Sequence, residues 1–140
     1  MKKVFISTTS FAQFSKEPLE ILKSNGFNFE LNEYGRKLGK SDCLEIYSKY
    51  DGIVAGTEIF DKQVLDSAQN LKVISRVGVG LDNIDIEYAK QRGIKIYRSK
   101  TEPSLAVAEL VLGLILDLTR KISLHNKEMK SGTWHKKMGS

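Results

Sequence analysis

A chain of 140 residues with a net charge of +5, 41% hydrophobic residues and 28% charged residues has the composition of one soluble globular domain. Its single cysteine, Cys43, excludes an intramolecular disulfide and a multi-cysteine metal site, so a reducing, cytoplasmic compartment is expected. The apolar run that follows Met1, Lys2 and Lys3 is too short for the core of a signal peptide.

The excess of positive charge lies in the last part of the chain. Residues 119–140 contain six basic residues and one acidic residue, whereas residues 1–118 contain 16 of each kind. A basic tail can bind nucleic acid, but cations near a helix end also complement the helix dipole. The tail has one aromatic residue and no nucleic-acid motif, so we expect a solvated helix end and no nucleic-acid partner.

Short apolar runs alternate with helical patterns along the chain, and the expected caps stand at the right places. Five runs predict strands, over residues 4–6, 27–31, 53–55, 73–77 and 94–97. The intervening patterns predict helices over residues 18–25, 41–50, 61–68, 85–93 and 104–130. Asp61 and Asp85 are expected to cap the third and fourth of these helices.

The regular alternation of strands and helices predicts an α/β fold with a parallel sheet and helices on both faces. Central parallel strands are apolar throughout, whereas edge strands alternate apolar with polar residues. The second strand, FNFEL, and the fifth, IKIY, alternate. This predicts a flavodoxin-like (βα)5 sheet of order 2-1-3-4-5 over residues 1–103. Residues 104–140 then form a long crossover or dimerisation helix and the basic tail.

The segment SRVGVGLDN has two alternating glycines, Gly78 and Gly80, and resembles the start of a dinucleotide fingerprint. That fingerprint needs a third glycine, where this chain has Asn83, and an acidic residue about 20 positions on, where it has Arg98 and Lys100. Dinucleotide binding is therefore not expected here. Two glycines instead let a backbone approach a small anion and direct amides at it, or simply form a tight turn.

Ligands of open α/β sheets bind at the carboxyl ends of the strands. The loops that follow the predicted strands there are rich in small hydroxyl residues and glycines, which suit a small polar ligand. These residues are Ser7, Thr8, Thr9, Ser10, Gly56, Thr57, Gly78 and Gly80.

Several longer stretches resemble one known family. LKVISRVGVGLDNIDIEYAKQRGIKI, AVAELVLGLILDLTRKI and SGTW are similar to the NAD-dependent D-isomer-specific 2-hydroxyacid dehydrogenases. DGIVAGTEIF and GRKLGK resemble the phosphoglycerate dehydrogenase branch in particular. The resemblance is dense over residues 35–140 and implies a flavodoxin-like substrate domain, in agreement with the strand pattern.

The resemblance also implies site residues and partners. The loop of residues 76–80 would bind the carboxylate of a 2-hydroxy or 2-keto acid through its backbone amides, and residues 56 and 57 would lie near the same pocket. The candidate substrate-binding residues are Gly56, Thr57, Arg76, Val77, Gly78, Val79 and Gly80. Ala55-Gly56 and Pro103 depart from the Arg-Ser pair and the Asn of many relatives, so these positions do not identify the acid.

In that family the NAD domain follows the stretch that matches WHKKMGS, together with the catalytic arginine, glutamate and histidine and a returning segment that completes the substrate domain. Hydride transfer needs a bound nicotinamide and an acid, whereas the two histidines here, His125 and His135, lie in the basic tail and are expected at the surface. We therefore expect a substrate-binding fragment that binds no NAD(H) and is inactive alone.

A stand-alone flavodoxin-like binding or dimerisation module is the alternative function. The hydroxyls of residues 7–10 would suit a flavin phosphate, although hydroxyls also cap helices at such positions. A phosphorylated receiver domain is excluded, because it needs clustered acids after the first strand and an aspartate at the end of the third, where this chain has Ala55-Gly56.

The last predicted helix is apolar nearly all round. Residues 105–118 carry two charges, Glu109 and Asp117, and are too few to cross a membrane, which takes about 20 residues. A helix of this kind is normally buried on more than one side. We expect one face to cover the sheet of its own chain and the other to form a homodimer over residues 105–124, with or without exchange of the helices.

Overall fold

The structure, a computed structural model, describes residues 2–101, 103–136 and 138. It divides into two compact units, Met1–Glu102 and Pro103–Ser140. In chain order the elements are β1 (Lys3–Ile6), α1 (Glu17–Ser24), β2 (Asn28–Leu31), α2 (Lys40–Ile46), a short 3₁₀ helix (Tyr47–Lys49), β3 (Gly52–Ala55), α3 (Lys62–Ser67), β4 (Val73–Arg76), α4 (Ile86–Gln91), β5 (Lys95–Arg98), α5 (Ser104–Arg120) and α6 (Ile122–Lys130).

The first unit is built on one parallel sheet of five strands in the order β2-β1-β3-β4-β5, which confirms the predicted order. The alternating strands β2 and β5 lie at the edges, and each leaves three of its four residues exposed. The three remaining strands are more buried because they have a neighbour on both sides. The alternation of polarity thus identified the edges correctly.

The main core lies on one face of this sheet. Phe5, Ile53 and Ile74 come from the three central strands and are buried together with residues of α2, α3 and α4. The rings of Tyr47 and Phe60 stack in this core with centroids 5.4 Å apart. Burial of each such large apolar side chain stabilises the fold by roughly 1.5–3 kcal/mol relative to exposure. The core therefore holds the strand ends in a fixed arrangement.

The predicted caps of α3 and α4 are confirmed. Oδ1 of Asp61 accepts a hydrogen bond from the Val64 amide at 3.0 Å, and Oδ1 of Asp85 accepts one from the Tyr88 amide at 3.0 Å. The Lys40 ammonium lies 2.6 Å from Asp61 Oδ2, and this contact together with the Val64 amide lowers the pKa of Asp61 below its ordinary value. Both caps satisfy amides that a helix start would otherwise leave without partners.

The prediction of one uninterrupted helix over residues 104–130 is wrong at Lys121. This residue adopts a left-handed conformation, with φ of 54° and ψ of 38°, between α5 and α6. Asp117 stabilises the break, because its carboxylate accepts hydrogen bonds from the Ser123 amide at 2.7 Å and from the Ser123 hydroxyl at 2.8 Å. A side chain that competes for backbone amides in this way is a known cause of helix interruption, and composition alone did not reveal it.

No residue in the described part of α5 or α6 is buried. Nine large apolar side chains of α5 are between 48% and 76% exposed. Across the residues that the structure describes, none of the helices combines the length and the apolar character that a membrane crossing requires.

Candidate substrate-binding site

The carboxyl ends of β3, β4 and β5 lie side by side at one edge of the sheet. In the strand register Ala55 pairs with Arg76, and Arg76 pairs with Arg98, so the last residue of each strand is level with the next. The Val77 amide then donates a hydrogen bond to the Ala55 carbonyl at 2.8 Å. The loops that the sequence singled out after β3 and β4 are therefore neighbours at this edge.

Gly78 occupies a backbone conformation that only glycine adopts readily. Its φ is +134°, outside the ordinary left-handed region of other residues. A Cβ atom at this position would overlap Nη1 of Arg76, whose guanidinium lies against Gly78 and donates a hydrogen bond to the Val77 carbonyl at 3.0 Å. The backbone conformation thus requires glycine, and a side chain at this position would also displace the flexible end of Arg76.

Residues at the end of β5 bind the carbonyl groups of the loop. The Ser99 amide donates to the Gly78 carbonyl at 3.1 Å, and Nη1 of Arg98 donates to the Val79 carbonyl at 2.8 Å. In a trans peptide the carbonyl and the following amide point in opposite directions. The amides of Val79 and Gly80 therefore both point away from the atoms of β5 that hold the loop.

Among the candidate residues, most amides already have partners within the chain. The Val77 amide donates to Ala55, and the Gly78 amide donates to the Ser99 hydroxyl at 3.1 Å. By contrast, the amides of Val79 and Gly80 donate no hydrogen bond within the described residues. The loop thus offers two adjacent donors, which is the nest that the alternating glycines predict.

The candidate residues after β3 are Gly56 and Thr57, and their surroundings differ from those of the loop after β4. The Gly56 amide donates to both carboxylate oxygens of Glu58, each at 3.2 Å, and to the Ser7 hydroxyl at 3.3 Å. The next residue, Thr57, is exposed. Nε of Arg76 is buried and has no partner in the described part of the chain. The Gly56 amide is therefore engaged inside the domain.

Glu58 is the residue that sequence analysis missed. It is only 2% exposed, and its Oε1 accepts hydrogen bonds from the hydroxyls of Ser7 and of Tyr47, the latter at 3.1 Å. Burial of a carboxylate is costly unless donors surround it, and three groups of this domain supply them. No signal in the sequence distinguished it, because an acid directly after Gly56-Thr57 reads as an ordinary exposed loop residue.

Two side chains next to Glu58 are kept neutral. Burial, followed by the charge of Glu58, raises the pKa of the Tyr47 phenol well above its ordinary value. Burial also raises the pKa of the Cys43 thiol. The Tyr47 phenol and the Cys43 thiol therefore stay protonated and uncharged near neutral pH.

Asn83 joins the loops after β3 and β4. Its Nδ2 donates to the Glu58 carbonyl at 2.7 Å, and its own carbonyl accepts a hydrogen bond from the Phe60 amide at 2.8 Å. A parallel bridge between Phe60 and Ile84 continues this contact. Asn83 stands where the dinucleotide fingerprint has its third glycine, and here its side chain fastens the glycine loop to the neighbouring one.

Ser7 belongs to the group of residues around Glu58, whereas the two histidines belong to the second unit. The Ser7 hydroxyl also contacts the Val54 carbonyl at 3.0 Å, and the Thr8 and Ser10 hydroxyls lie 3.1 Å apart. His125 belongs to α6, where its Nδ1 is 3.9 Å from Glu128 Oε2, and His135 is exposed. Within the described ranges, no group of three or more histidine, cysteine or acidic residues could hold a metal ion.

The class of the protein follows from its similarity to a known family. The chain belongs to the D-isomer specific 2-hydroxyacid dehydrogenase family, whose catalytic-domain model matches residues 5–134. This match confirms the family resemblance that was seen in the sequence. Two of the relatives are D-3-phosphoglycerate dehydrogenases, which supports the phosphoglycerate dehydrogenase-like branch.

Three relatives illustrate the match. D-3-phosphoglycerate dehydrogenase of Archaeoglobus fulgidus is 33% identical over 124 residues, which cover 88% of this chain and 23% of that protein. Hydroxypyruvate reductase of Thermotoga maritima is 36% identical over 110 residues, covering 77% and 36%. The structure of NAD+-bound 3-phosphoglycerate dehydrogenase from Entamoeba histolytica has a TM-score of 0.75 at 26% identity, covering 99% and 42%. The chain thus spans well under half the length of each.

We expect Gly78→Ala to destabilise the protein by about 2–3 kcal/mol, because alanine is strained at this φ and the Arg76 guanidinium must move. Gly93→Ala is the matched control, since Gly93 has a φ of +72° with nothing close to its added Cβ, and it should cost about 1 kcal/mol. Urea denaturation measures both losses. Combining Gly78→Ala with Arg76→Ala separates strain from collision. Equal losses for Gly78→Ala and Gly93→Ala would contradict this account.

Tyr47 makes the stability sensitive to alkaline pH. Because its pKa is raised in the folded chain, its stabilisation is complete below the ordinary value of 10.0 and declines as the pH rises towards the folded pKa. Tyr47→Phe should therefore flatten the decline in unfolding free energy above about pH 10, by at most about 1.4 kcal/mol per pH unit. Urea denaturation at several alkaline pH values measures the slope. Tyr34→Phe, at an exposed position, should keep the wild-type slope, and an unchanged slope in Tyr47→Phe would refute the assignment.

Proposed function

We propose that this chain is the substrate-binding part of an NAD-dependent D-2-hydroxyacid dehydrogenase. In this role the amides of Val79 and Gly80 hold the carboxylate of a 2-hydroxy or 2-keto acid. The observation that carries the proposal is the pair of adjacent, unpartnered amides that point to one side of a loop at the carboxyl end of β4. Membership of the family supports it.

The geometry suits a carboxylate for two reasons. Its two oxygens match two neighbouring N–H donors, and hydrogen bonds to a charged acceptor are stronger than neutral ones. The loop is also held before the ligand arrives, by Ser99, Arg98 and the Asn83 contacts, so little conformational freedom is lost on binding. Arg76, Arg98 and Lys100 add positive charge around the loop, which attracts an anion and outweighs the one negative charge of Asp82 beside Gly80.

NAD would supply the hydride acceptor or donor in the complete enzyme. The residues of this loop do not fit a dinucleotide, since the Gly78 amide is bound to Ser99 and the Asn83 side chain is bound to the Glu58 carbonyl. We therefore propose that residues 1–140 bind the acid but not the cofactor, and that they have no dehydrogenase activity by themselves.

The binding site can be tested by NMR on the 15N-labelled chain. Glycolate, a small 2-hydroxy acid, should shift the Val79 and Gly80 amides, whereas NADH should shift none. Gly80→Val should abolish the glycolate shifts, because its Cβ atom would lie 2.8 Å from Asp82 Oδ1 and the loop around the two amides would have to change shape. Gly39→Val is the matched control at an exposed glycine with negative φ. Glycolate shifts that map away from this loop would refute the proposal, as would undiminished binding by Gly80→Val.

We also propose that two copies of the chain pair through residues 105–124. The support is the exposure of nine large apolar side chains on α5, since each leucine left in water costs roughly 1.5–3 kcal/mol relative to burial. A second copy of the same surface can cover them, and two-fold dimers are the commonest closed assembly. This pairing would bury the exposed apolar side chains of α5 without any further partner.

Light scattering should give about twice the 15.8 kDa chain mass. Leu112 and Leu116 lie one turn apart on α5, so changing both to glutamate should give monomers or insoluble protein. A matched double change of the exposed residues Phe14 and Ile59 to glutamate, in the first unit, should leave the dimer intact. A wild-type chain that stays monomeric at high concentration would contradict the pairing.

A further inference from the structure

Arg98 is the last residue of β5 and contacts the loop of residues 76–80, which is called the substrate loop below. The contact is on the side opposite to the free amides of Val79 and Gly80. Its Nη1 donates to the Val79 carbonyl at 2.8 Å, and the arginine makes no ion pair within the described residues. The guanidinium lines a small cavity of about 250 Å³ together with Val79, Ser99 and Lys100. A cation without an acidic partner is thus fixed against one particular peptide of the loop.

That peptide joins Val79 to Gly80. The oxygen that Arg98 binds and the Gly80 amide belong to the same planar unit and point in opposite directions. A donor on the oxygen therefore fixes the direction of the amide. Hydrogen bonds in series also polarise one another, so a charged donor on the carbonyl makes the amide on the other side a stronger donor.

The preceding peptide, between Gly78 and Val79, is held in another way. Its carbonyl accepts from the backbone amide of Ser99, which any residue except proline could supply. The Val79–Gly80 peptide depends on a side chain instead. Arginine suits the task because it stays charged at all ordinary pH values and its planar head carries several donors.

We propose that Arg98 is a positioning residue for the substrate carboxylate, which acts through the Val79 carbonyl to orient and polarise the Gly80 amide. The ligand in this statement rests on the proposed function, but the coupling between Arg98 and the peptide exists in the free protein. Arg98 itself does not touch the carboxylate, because its head lies on the carbonyl side of the peptide.

The test uses the complete chain labelled with 15N and 13C, first without ligand. The nuclei that report on the peptide are the Val79 carbonyl carbon and the Gly80 amide nitrogen. Arg98→Leu should shift both, because their polarising donor is lost, while Arg98→Lys should restore part of the shift. Lys95→Leu, at an exposed position on the same strand, should change neither nucleus.

Glycolate titrations of the same samples supply the second measurement. Arg98→Leu should weaken binding roughly threefold to tenfold, the size of loss expected for a hydrogen bond to a charged group. Arg98→Lys should recover part of the affinity, and Lys95→Leu should bind like the wild type. Unchanged spectra of the core residues Ile53 and Ile74 would verify that each variant is folded.

Two results overturn the proposal. If Arg98→Leu leaves the Val79 and Gly80 nuclei unshifted in the free protein, the arginine does not act on this peptide. If the nuclei shift but glycolate binds as tightly as to the wild type, the arginine does not position the Gly80 amide for the carboxylate. If no sample binds glycolate, the proposed function fails, whereas the shifts of the free protein still decide whether Arg98 controls the peptide.

Discussion

Everything at the candidate site depends on the parallel register of β3, β4 and β5. Because Ala55, Arg76 and Arg98 are level with one another, three loops leave the sheet at the same edge. Parallel strands in this arrangement are held by backbone hydrogen bonds and by a core on the covered face, to which Phe60 and Ile84 from the loops after β3 and β4 also contribute. The loops can therefore carry strained conformations such as that of Gly78, since the sheet over-determines where they begin.

Glu58 is the second constraint. A buried carboxylate needs donors, and the ones it finds come from β1, the 3₁₀ helix and the loop after β3, through Ser7, Tyr47 and Gly56. Its own carbonyl is bound by Asn83 from the loop after β4. One acidic residue thus links the ends of three neighbouring strands, and it accepts the hydrogen bond of the Gly56 amide.

The substrate loop combines two kinds of support. The Ala55 carbonyl accepts from the Val77 amide, and Ser99 binds both the amide and the carbonyl of Gly78. The Arg98 side chain donates to the Val79 carbonyl, and the Asn83 side chain donates to the Glu58 carbonyl in the loop after β3. Within the described residues, the adjacent amides of Val79 and Gly80 donate no hydrogen bond.

The sequence by itself determined the fold class, the strand order and the caps at Asp61 and Asp85, because these follow from local polarity and spacing. It also directed attention to the glycine loop. Only the tertiary structure decided which amides remain free, since the groups that bind the other amides, the Ala55 carbonyl and the Ser99 hydroxyl, are brought there by the sheet. The burial of Glu58 and the break at Lys121 were equally hidden. Both depend on where side-chain donors and acceptors meet in space, and periodicity carries no information about that.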